Sequence, residues 1–426
     1  MRILMISPQP FFESRGAPFC VYQHIKALVT LGYEVDLVTY HIGKSVQLPG
    51  LRIFRAPSIP FIQSVKPGPS LAKFPLDLTL FLTAALLLCV RRNRYAFIHT
   101  HEEAGMMGAL LAPIAGCKHM YYMHSDLAQI VASSEFTRSR WLIRCVQAVQ
   151  GFMVRRADAV VAFYPEIVTQ AKRLAPTKPV YMILPTAVDE ELPSATSDET
   201  IQLRQQLKLG EGPILLYTGT LENYQGIDIL LRSIATISAK VPAVRVLIVG
   251  GRADQVAKLQ QFASELAVTE YVRFVGQRPL EEMPVYMALA DILVSPRSKG
   301  THTPLKLYTY LRSGKPMLAT DILAHTQILT PEVALLVPPT PQGLAGGAIE
   351  LLCDRAQANT LGVCARQMAE ERFSWPAFLE KNRQVYSEFM GTPGAATNRI
   401  DAVRVTNVEV RTRELVEVMG KKSRGV

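Results

Sequence analysis

The stretch "GTHTPLKLYTYLRSGKP", residues 300–316, combines a polar turn with the start of a short cationic helix. The turn consists of Gly300, Thr301, His302 and Thr303. Pro near the start of a helix and Gly just past its end, here Gly314, are typical helix boundaries. The N-terminus of a helix presents unpaired backbone N–H groups and the positive end of the dipole, and Lys306 adds a charge there. The stretch therefore predicts an anion site, with Thr309 rather than an acid in mid-helix.

A cluster of histidines and acids follows another predicted strand. In "IHTHEEAG", His99 and His101 lie two apart on one strand face, and Glu102 and Glu103 come directly after them. Two histidines and two acids can bind zinc or iron. Strand-end His and Glu also commonly hydrogen-bond a polar ligand. We expect the second role and no metal, because no Cys accompanies the cluster.

His124 stands at a third strand end, in "YMHSDLAQ", beside Ser125 and Asp126. It is either an ordinary polar loop residue or a cleft residue that contacts a substrate hydroxyl or assists proton movement. Two glycine turns are weaker signals: Gly16 precedes a helix, and Gly250 follows a strand, but neither belongs to a complete G-x-G-x-x-G motif. The chain also lacks a nucleophile elbow and a Walker A lysine, which disfavours hydrolases and nucleoside triphosphatases.

Short apolar runs alternate with helical patterns and position these residues. The first half contains "RILMISP", "EVDLVTY", "LRIFRAP", "AFIHTH", "HMYYMHS", "AVVAFYP" and "PVYMILP". The second half contains "PILLYTG", "VRVLIVGG", "YVRFVGQ", "DILVSP" and "PMLATD". Strands that alternate with helices predict parallel sheets with right-handed crossovers. The sequence therefore predicts an α/β fold of two doubly wound domains, which bind ligands at the carboxyl ends of their strands.

Composition and charge limit the class of protein. A chain of 426 residues with 49% hydrophobic and 19% charged residues is a globular protein of two or three domains. Its six scattered cysteines form no C-x-x-C pair, so neither a zinc site nor a disulfide framework is indicated. The start, "MRILMISPQP", reads as a buried strand rather than a signal peptide, and we expect a cytoplasmic location.

The net charge of +10 is concentrated beside apolar segments. The run "LTLFLTAALLLCV", Leu78 to Val90, is followed by Arg91, Arg92 and Arg94. It is shorter than the roughly 20 residues that span a bilayer, so it is either a core helix or a helix facing the inner side of a membrane. Arg138, Arg140, Arg144, Arg155 and Arg156 surround a second such segment. Nucleic acid is not expected as a partner, because no aromatic platform accompanies the basic residues.

Several ordered motifs together resemble the family-4 retaining glycosyltransferases of GT-B architecture. They are "RILMISPQPFFESRGAPFCVYQHIKALVTLGYEVDLVT", "HTHEEAG", "YMHSD", "YTGTLENYQGIDILL", "FVGQRPLEEMPVYMALADILVSP", "TPLKLYTYLRSGKPMLAT" and "RFSWPAFLEKNRQVY". The resemblance implies an acceptor-binding Rossmann-like domain (1–185), a linker (186–199), a nucleotide-sugar-binding Rossmann-like domain (200–375) and a helix crossing back to the first domain (376–390). We expect residues 391–426 to form a mobile tail with one short helix.

The resemblance also implies roles for the residues described above. It places His124 and Lys306 at the catalytic centre, where His124 would orient the donor sugar and Lys306 would contact phosphate. It places His101, Glu102 and Glu103 on the acceptor side. The donor would be bound by Gly16, Thr220, Gln225, Gly250, Arg252, Arg278, Arg297, Gly300, Thr301, His302, Thr303 and Thr309. The implied donor is a nucleotide-diphosphate sugar, the acceptor is a carbohydrate or lipid-linked hydroxyl, and neither a cofactor nor a metal is required.

Four departures from the family pattern concern the donor site. Thr301 and Thr309 occupy the positions of two customary glutamates, and Thr220 and Gln225 occupy those of the Arg and Lys that bind the diphosphate. Thr186-Ala187 likewise replaces the usual Asn-Gly before the linker. Neutral groups bind anions more weakly than charged ones. Three interpretations follow. The chain is a transferase that holds its donor through backbone amides, Lys306, Arg297 and Arg252. Alternatively, it is a non-catalytic sugar-nucleotide-binding relative or interaction protein, or it is a sugar-nucleotide epimerase.

Overall fold

Thirteen strands in two separate parallel sheets form the framework of the computed structural model, which describes residues 1–13, 16–65, 70–91, 95–133, 139–187 and 194–391. The first sheet contains β1 (Arg2–Ser7), β2 (Glu34–Thr39), β3 (Leu51–Arg55), β4 (Phe97–His101), β5 (Lys118–Met123), β6 (Ala159–Ala162) and β7 (Val180–Met182). Its strand order is β3-β2-β1-β4-β5-β6-β7. The order reverses direction between β1 and β4, which is where a doubly wound sheet binds ligands.

Six helices accompany the first sheet in the described residues. They are α1 (Gly16–Thr30), α2 (Lys73–Val90), α3 (Gly105–Ala115), α4 (Leu127–Ser133), α5 (Arg140–Arg156) and α6 (Pro165–Leu174). The apolar run predicted as a core or membrane-facing helix is α2. Its buried residues are Leu76, Leu80, Ala84 and Leu87, and they pack with Leu4, Ile6 and Val38 of the sheet. Only one side of α2 therefore belongs to the core.

The second sheet has the order β10-β9-β8-β11-β12-β13 and is again parallel. Its strands are β8 (Ile214–Thr218), β9 (Arg245–Val249), β10 (Val272–Gly276), β11 (Ile292–Ser295), β12 (Met317–Thr320) and β13 (Leu335–Val337). Alternate residues of β8 enter opposite core layers, Leu215 and Tyr217 on one face and Ile214 and Leu216 on the other. The sheet is thus covered on both faces, as parallel sheets require.

The helices of the second half alternate with these strands. They are α7 (Ser197–Gln206), α8 (Ile227–Lys240), α9 (Ala253–Glu265), α10 (Met283–Leu289), α11 (Lys306–Ser313), α12 (Leu323–Thr326), α13 (Pro341–Cys353) and α14 (Arg355–Arg372). The predicted helix that carries Lys306 is α11. Gly314 ends it in the left-handed conformation, as expected. Pro304 lies just outside the helix instead of within it, since α11 is capped by Leu305.

The prediction of two doubly wound Rossmann-like domains is confirmed. All twelve predicted strands occur, and β13 is additional. α7 begins at Ser197, within the segment predicted as linker, and residues 188–193 lie outside the described residues. The last helix, α15 (Trp375–Met390), begins against the first domain: Lys26 of α1 lies 4.7 Å from the centre of the Trp375 ring. Residues 392–426 of the predicted tail are also outside the described residues.

Candidate functional site

Glycines bring the carboxyl ends of the strands in the second sheet close together. Gly250 has a φ of 121°, and a Cβ atom there would lie 2.0 Å from the carbonyl oxygen of Gly219. The Gly219 and Gly250 amides donate to the carbonyls of Val249 and Gly276 at 2.9 and 2.7 Å. Because no side chain fits between these turns, backbone from three neighbouring strands lines the end of the sheet.

Lys306 enters this end of the sheet as the first residue of α11. Its Nζ atom is buried, and no described residue forms a hydrogen bond with it. The ammonium instead lies 3.7 Å from the centre of the Tyr217 ring, a cation–π contact. Burial lowers the pKa of Lys306 well below its usual value, and the charge of Arg297 lowers it further. Lys306 is thus a basic group held away from water without an anionic partner in the described chain, and its charged form is disfavoured until an anion binds.

Arg297 is the second buried cation and leaves only 8% of its surface exposed. Its Nε atom donates to the carbonyl of Lys299 at 2.8 Å, and its guanidinium stacks 4.8 Å from the centre of the Tyr224 ring. Burial lowers the pKa of Arg297. Among the described residues, no carboxylate pairs with either Arg297 or Lys306, so the two positive charges are uncompensated.

The turn of residues 300–303 follows Arg297 and reaches the first domain. Gly300 has a φ of 99°, and a Cβ atom there would lie 2.7 Å from Nη2 of Arg297. The Thr301 hydroxyl donates to Oε1 of Gln129 in α4 at 2.9 Å. The His302 ring lies 5.8 Å from that of Tyr164, and burial lowers the pKa of His302 to about 4. The turn therefore connects the buried cations with the other domain.

Three neutral groups of the predicted donor site are buried with unused hydrogen-bonding atoms. Within the described residues, no partner exists for Oγ1 of Thr303, Oγ1 of Thr309 or Oε1 of Gln225. The amide of Gln225 donates to the Thr220 hydroxyl at 3.2 Å, which fixes both side chains. Buried polar atoms are normally satisfied. These atoms are therefore available to a ligand that also meets the cations.

The structure does not bring Arg252 and Arg278 to the buried cations. Arg252 forms salt bridges with Glu222 and Asp254 at 3.0 and 3.2 Å, and its side chain is 61% exposed. Arg278 is also exposed. Gly16 opens α1 in the first domain, with a φ of 37° and open space around its Cβ position.

His124 belongs to a stack of buried aromatic rings at the end of β5. Its Nε2 atom shares a hydrogen bond of 2.7 Å with Nδ1 of His101, and its ring meets that of Phe163 edge-on at 4.3 Å. Burial lowers the pKa of His124 to about 3, so its imidazole is neutral at pH 7. Its Nδ1 atom is buried and has no hydrogen-bond partner among the described residues.

The acids after β4 form a separate network. Glu102 has a φ of 49°, unusual for a residue other than Gly, and it accepts a hydrogen bond of 2.8 Å from the Ser125 hydroxyl. Burial, together with the charge of Glu103, raises the pKa of Glu102 to about 8. Glu103 pairs with Lys73 at 2.6 Å. No group of three or more His, Cys, Asp and Glu suited to a metal ion occurs in the described part of the chain.

A small apolar crevice adjoins the histidine stack. It is lined by Phe19, Cys20, Gln23, Phe163, Pro185, Thr186, Leu305 and Phe378. No charged side chain lines it, so it is not the site of the buried cations. Thr186, at the position of the customary Asn, contributes to this crevice instead.

Sequence reasoning missed the groups that hold the site together. Tyr217 and Tyr224 support the two cations, and Gln129 and Gln327 contact the turn of residues 300–303. Tyr217 lies within the apolar run of β8. Gln129 lies within α4 and Gln327 directly follows α12, and nothing in the sequence around either glutamine indicates a contact with the turn. Only the alternation of β8 would have indicated that Tyr217 points toward a core layer.

Two doubly wound Rossmann-like domains are the architecture of the GT-B glycosyltransferases. Residues 15–186 match the "Glycosyl transferase 4-like domain" family, and residues 212–354 match the "Glycosyl transferases group 1" family. Each half of the chain thus matches a glycosyltransferase domain family.

Curated glycosyltransferases are similar to this chain in sequence, and a solved structure shares its fold. The chain is 29% identical over 200 residues to the GDP-mannose-dependent alpha-(1-6)-phosphatidylinositol monomannoside mannosyltransferase of Mycolicibacterium smegmatis, a match that covers 45% of this chain and 52% of that protein. It is 26% identical over 417 residues to the D-inositol 3-phosphate glycosyltransferase of Corynebacterium diphtheriae, covering 91% and 95% of the two chains. Sucrose-phosphate synthase from Thermosynechococcus elongatus shares the fold, with a TM-score of 0.76, 22% identity and coverage of 92% and 99%.

Proposed function

We propose that this protein transfers a sugar from a nucleotide-diphosphate sugar to an acceptor hydroxyl with retention, in the synthesis of a cell-envelope glycolipid or polysaccharide. The observation that carries the proposal is the pair of buried basic side chains Lys306 and Arg297, which have no acidic partner among the described residues. Removing an ion from water costs several kcal/mol unless a counter-ion is supplied (about 3–5 kcal/mol when a buried pair loses one partner). A ligand diphosphate supplies that counter-ion.

The two cations suit the leaving group of glycosyl transfer. Negative charge grows on the distal phosphate as the glycosidic bond breaks, and preorganised positive groups in a dry site stabilise it. Lys306 and Arg297 would neutralise this charge without a metal ion. The unused hydroxyls of Thr303 and Thr309 would donate to or accept from the sugar and ribose hydroxyls, and Oε1 of Gln225 would accept from them. At Thr309 and Gln225 the family pattern has charged side chains.

The proposed reaction needs no protein nucleophile. The acceptor oxygen bonds to the anomeric carbon on the face that the diphosphate leaves, the bond from that carbon to the phosphate oxygen breaks, and the departing phosphate takes the acceptor proton. His124, neutral because it is buried, would orient the donor sugar through its unused Nδ1 atom. Glu102, with a pKa of about 8, would hold an acceptor hydroxyl from the first domain.

The names of the two relatives suggest the substrates to try first. One is GDP-mannose-dependent and acts on a phosphatidylinositol monomannoside, and the other acts on D-inositol 3-phosphate. We therefore propose a polyol or glycolipid acceptor that carries a phosphate. Its hydroxyl would approach from the domain that contains His101, Glu102 and Glu103.

Calorimetric titration with uridine, guanosine and adenosine diphosphate-sugars in the presence of chelator tests the proposal. We expect one base to bind, and Lys306→Met to weaken that binding at least about 30-fold, because a charge-assisted contact is lost. Lys258→Met, which removes an exposed lysine of α9, is the matched control and leaves affinity unchanged.

Turnover separates the proposed function from its alternatives. Release of nucleoside diphosphate with a glycosylated acceptor supports a transferase. An altered sugar still attached to the nucleotide would indicate an epimerase, and binding without turnover on phospho-polyol or membrane-lipid acceptors would indicate a non-catalytic relative. Unchanged donor affinity in Lys306→Met would remove the basis of the proposal.

A further inference from the structure

A row of exposed apolar side chains runs along the outer side of α2. The row consists of five residues spaced four apart, Phe74, Leu78, Leu82, Leu86 and Val90. Each of them leaves between 57% and 74% of its surface exposed to solvent. Successive members at this spacing are neighbours on the helix surface, so the row winds along the side of α2 that faces away from the first sheet. At 1.5 Å of rise per residue the row is about 24 Å long. An exposed apolar surface of this size on a folded domain indicates an interaction site.

The buried side of α2 argues against a transmembrane helix, although the composition of α2 is apolar. By length and hydropathy alone, α2 is apolar enough to cross a membrane, and it is the one such helix in the described part of the chain. However, Leu76, Leu80, Ala84 and Leu87 are buried against the first sheet. A helix held on its domain in this way can lie along an apolar phase but does not span it.

Neighbouring helices extend the exposed surface. α2 packs against α3, and α3 packs against α5, so the three helices form one layer. Leu110 and Ile114 of α3 are 46% and 76% exposed, and Trp141 of α5 is 73% exposed. We call the outer surface of α2, α3 and α5 the apolar face.

The charges around the apolar face all have the same sign. α5 contains Arg140, Arg144, Arg155 and Arg156, all of them exposed, and no acid. α3 has no charged residue at all. The two charges of α2 are occupied within the domain, since Lys73 pairs with Glu103 and Asp77 accepts a hydrogen bond from Tyr40. Basic residues therefore flank an apolar surface without acids to balance them.

We infer that the apolar face docks this protein on the surface of an anionic lipid bilayer, with α2 and α5 lying in the plane of the membrane. Apolar side chains would enter the boundary between headgroups and acyl chains, Trp141 would lie at the headgroup level, and the arginines would meet lipid phosphates. A second copy of this chain fits less well, because the face has no acid to meet the arginines of its partner. The inference uses no donor or turnover and stands apart from the proposed function.

Vesicle binding tests this inference. The purified protein should sediment with vesicles containing one-third phosphatidylglycerol, and bind pure phosphatidylcholine vesicles far more weakly. Leu78→Gln/Leu82→Gln/Leu86→Gln should reduce partition by at least about tenfold. Arg140→Gln/Arg144→Gln should reduce binding to the anionic vesicles only, and high salt should have the same effect. Ile201→Gln/Val363→Gln, which alters exposed apolar residues of α7 and α14, is the matched control and should bind normally.

Fluorescence supplies a second readout that does not depend on the folding of the triple variant. The chain has two tryptophans, so Trp375→Phe leaves Trp141 as the only indole. Its emission should shift to shorter wavelength when anionic vesicles are added. Failure to bind these vesicles, an unshifted Trp141 emission, or equal binding by the folded triple variant would each overturn the inference. A dimer that the triple variant abolishes, without vesicle binding, would assign the face to a protein partner instead.

Discussion

Lys306 and Arg297 owe their chemistry to burial rather than to residue type. Lysines are common on helices and usually solvated, but this one has an enclosed Nζ atom above the Tyr217 ring. The sequence indicated Lys306 from its place at a helix start. Arg252 was predicted to bind the donor, but the structure shows it exposed and paired with Glu222 and Asp254. The burial of Lys306 and Arg297 cannot be predicted from the residues next to them in the sequence, because distant segments of the chain cover them.

Thr309 allows a test in which stability and affinity change in opposite directions. Its Oγ1 atom is buried without a partner in the described residues, so Thr309→Val removes an unsatisfied hydroxyl while keeping the shape. We expect the free energy of unfolding to rise by about 1 kcal/mol in urea titrations. We expect donor affinity to fall by about fivefold in calorimetry, since one ligand hydrogen bond is lost.

Thr309→Ser serves as the comparison, because it keeps the hydroxyl and should retain most donor affinity. A destabilised Thr309→Val protein would show that the hydroxyl has an internal partner. Unchanged donor affinity would move Thr309 out of the donor site.

At the scale of elements, the turns after β8 and β9 depend on glycine. Gly250→Ala would place a methyl group against the carbonyl of Gly219 at a φ of 121°. We expect a loss of about 3 kcal/mol in the free energy of unfolding, measured by urea titration. Donor affinity should also fall, because the backbone at the strand ends must move apart.

Gly346→Ala is the opposite case and serves as control. Gly346 is an exposed glycine inside α13 with open space at its Cβ position. Alanine favours the helix, so stability should rise by about 1 kcal/mol. If Gly250→Ala and Gly346→Ala changed the free energy of unfolding equally, the close contact between the backbones of Gly250 and Gly219 would not be the cause of the loss at Gly250.

The strands show where sequence suffices and where it does not. The twelve predicted strands are apolar runs bounded by turns, a pattern that parallel sheets covered on both faces produce. Nine of them are mostly buried, whereas β3, β7 and β10 are partly exposed. β13 has only three residues, and Leu335 and Leu336 are partly exposed at the sheet edge. Its pairing with β12 comes from tertiary contact rather than from a recognisable run. The contacts of residues 300–303 with α4 could not be predicted either, since they join segments about 170 positions apart, as the Thr301–Gln129 hydrogen bond does.

At the scale of the whole molecule, Gln327 joins the two domains beside the turn of residues 300–303. Its Oε1 atom accepts from the Glu166 amide at the start of α6 at 3.0 Å, and its Nε2 atom donates to the Thr301 carbonyl at 2.7 Å. Gln327→Ala should lower kcat by about tenfold, because closure over the substrates loses a bridge. Donor affinity, set mainly by the buried cations, should stay within about twofold.

Steady-state kinetics and calorimetry on the same preparations measure the two effects. Gln261→Ala, on the exposed side of α9, is the control and should change neither. A loss of donor affinity as large as the loss of kcat would show that Gln327 supports the donor turn rather than domain closure.

The stack of neutral histidines in the first domain has a consequence for where this protein can work. Burial lowers the pKa of His24 and His124 to about 3 and of His119 to about 4, and it lowers that of His99 and His101 well below 6.5. A histidine whose pKa is lower in the folded than in the unfolded chain contributes its full stabilisation above pH 6.5. This contribution is lost as the pH falls, because the unfolded chain then binds more protons than the folded chain. Glu102 and Asp77, whose raised pKa values are about 8 and 7, act in the opposite direction but are fewer. Because several rings act together, we expect the first domain to lose stability as the pH falls below 6.5, and urea titrations repeated at successively lower pH would measure that loss.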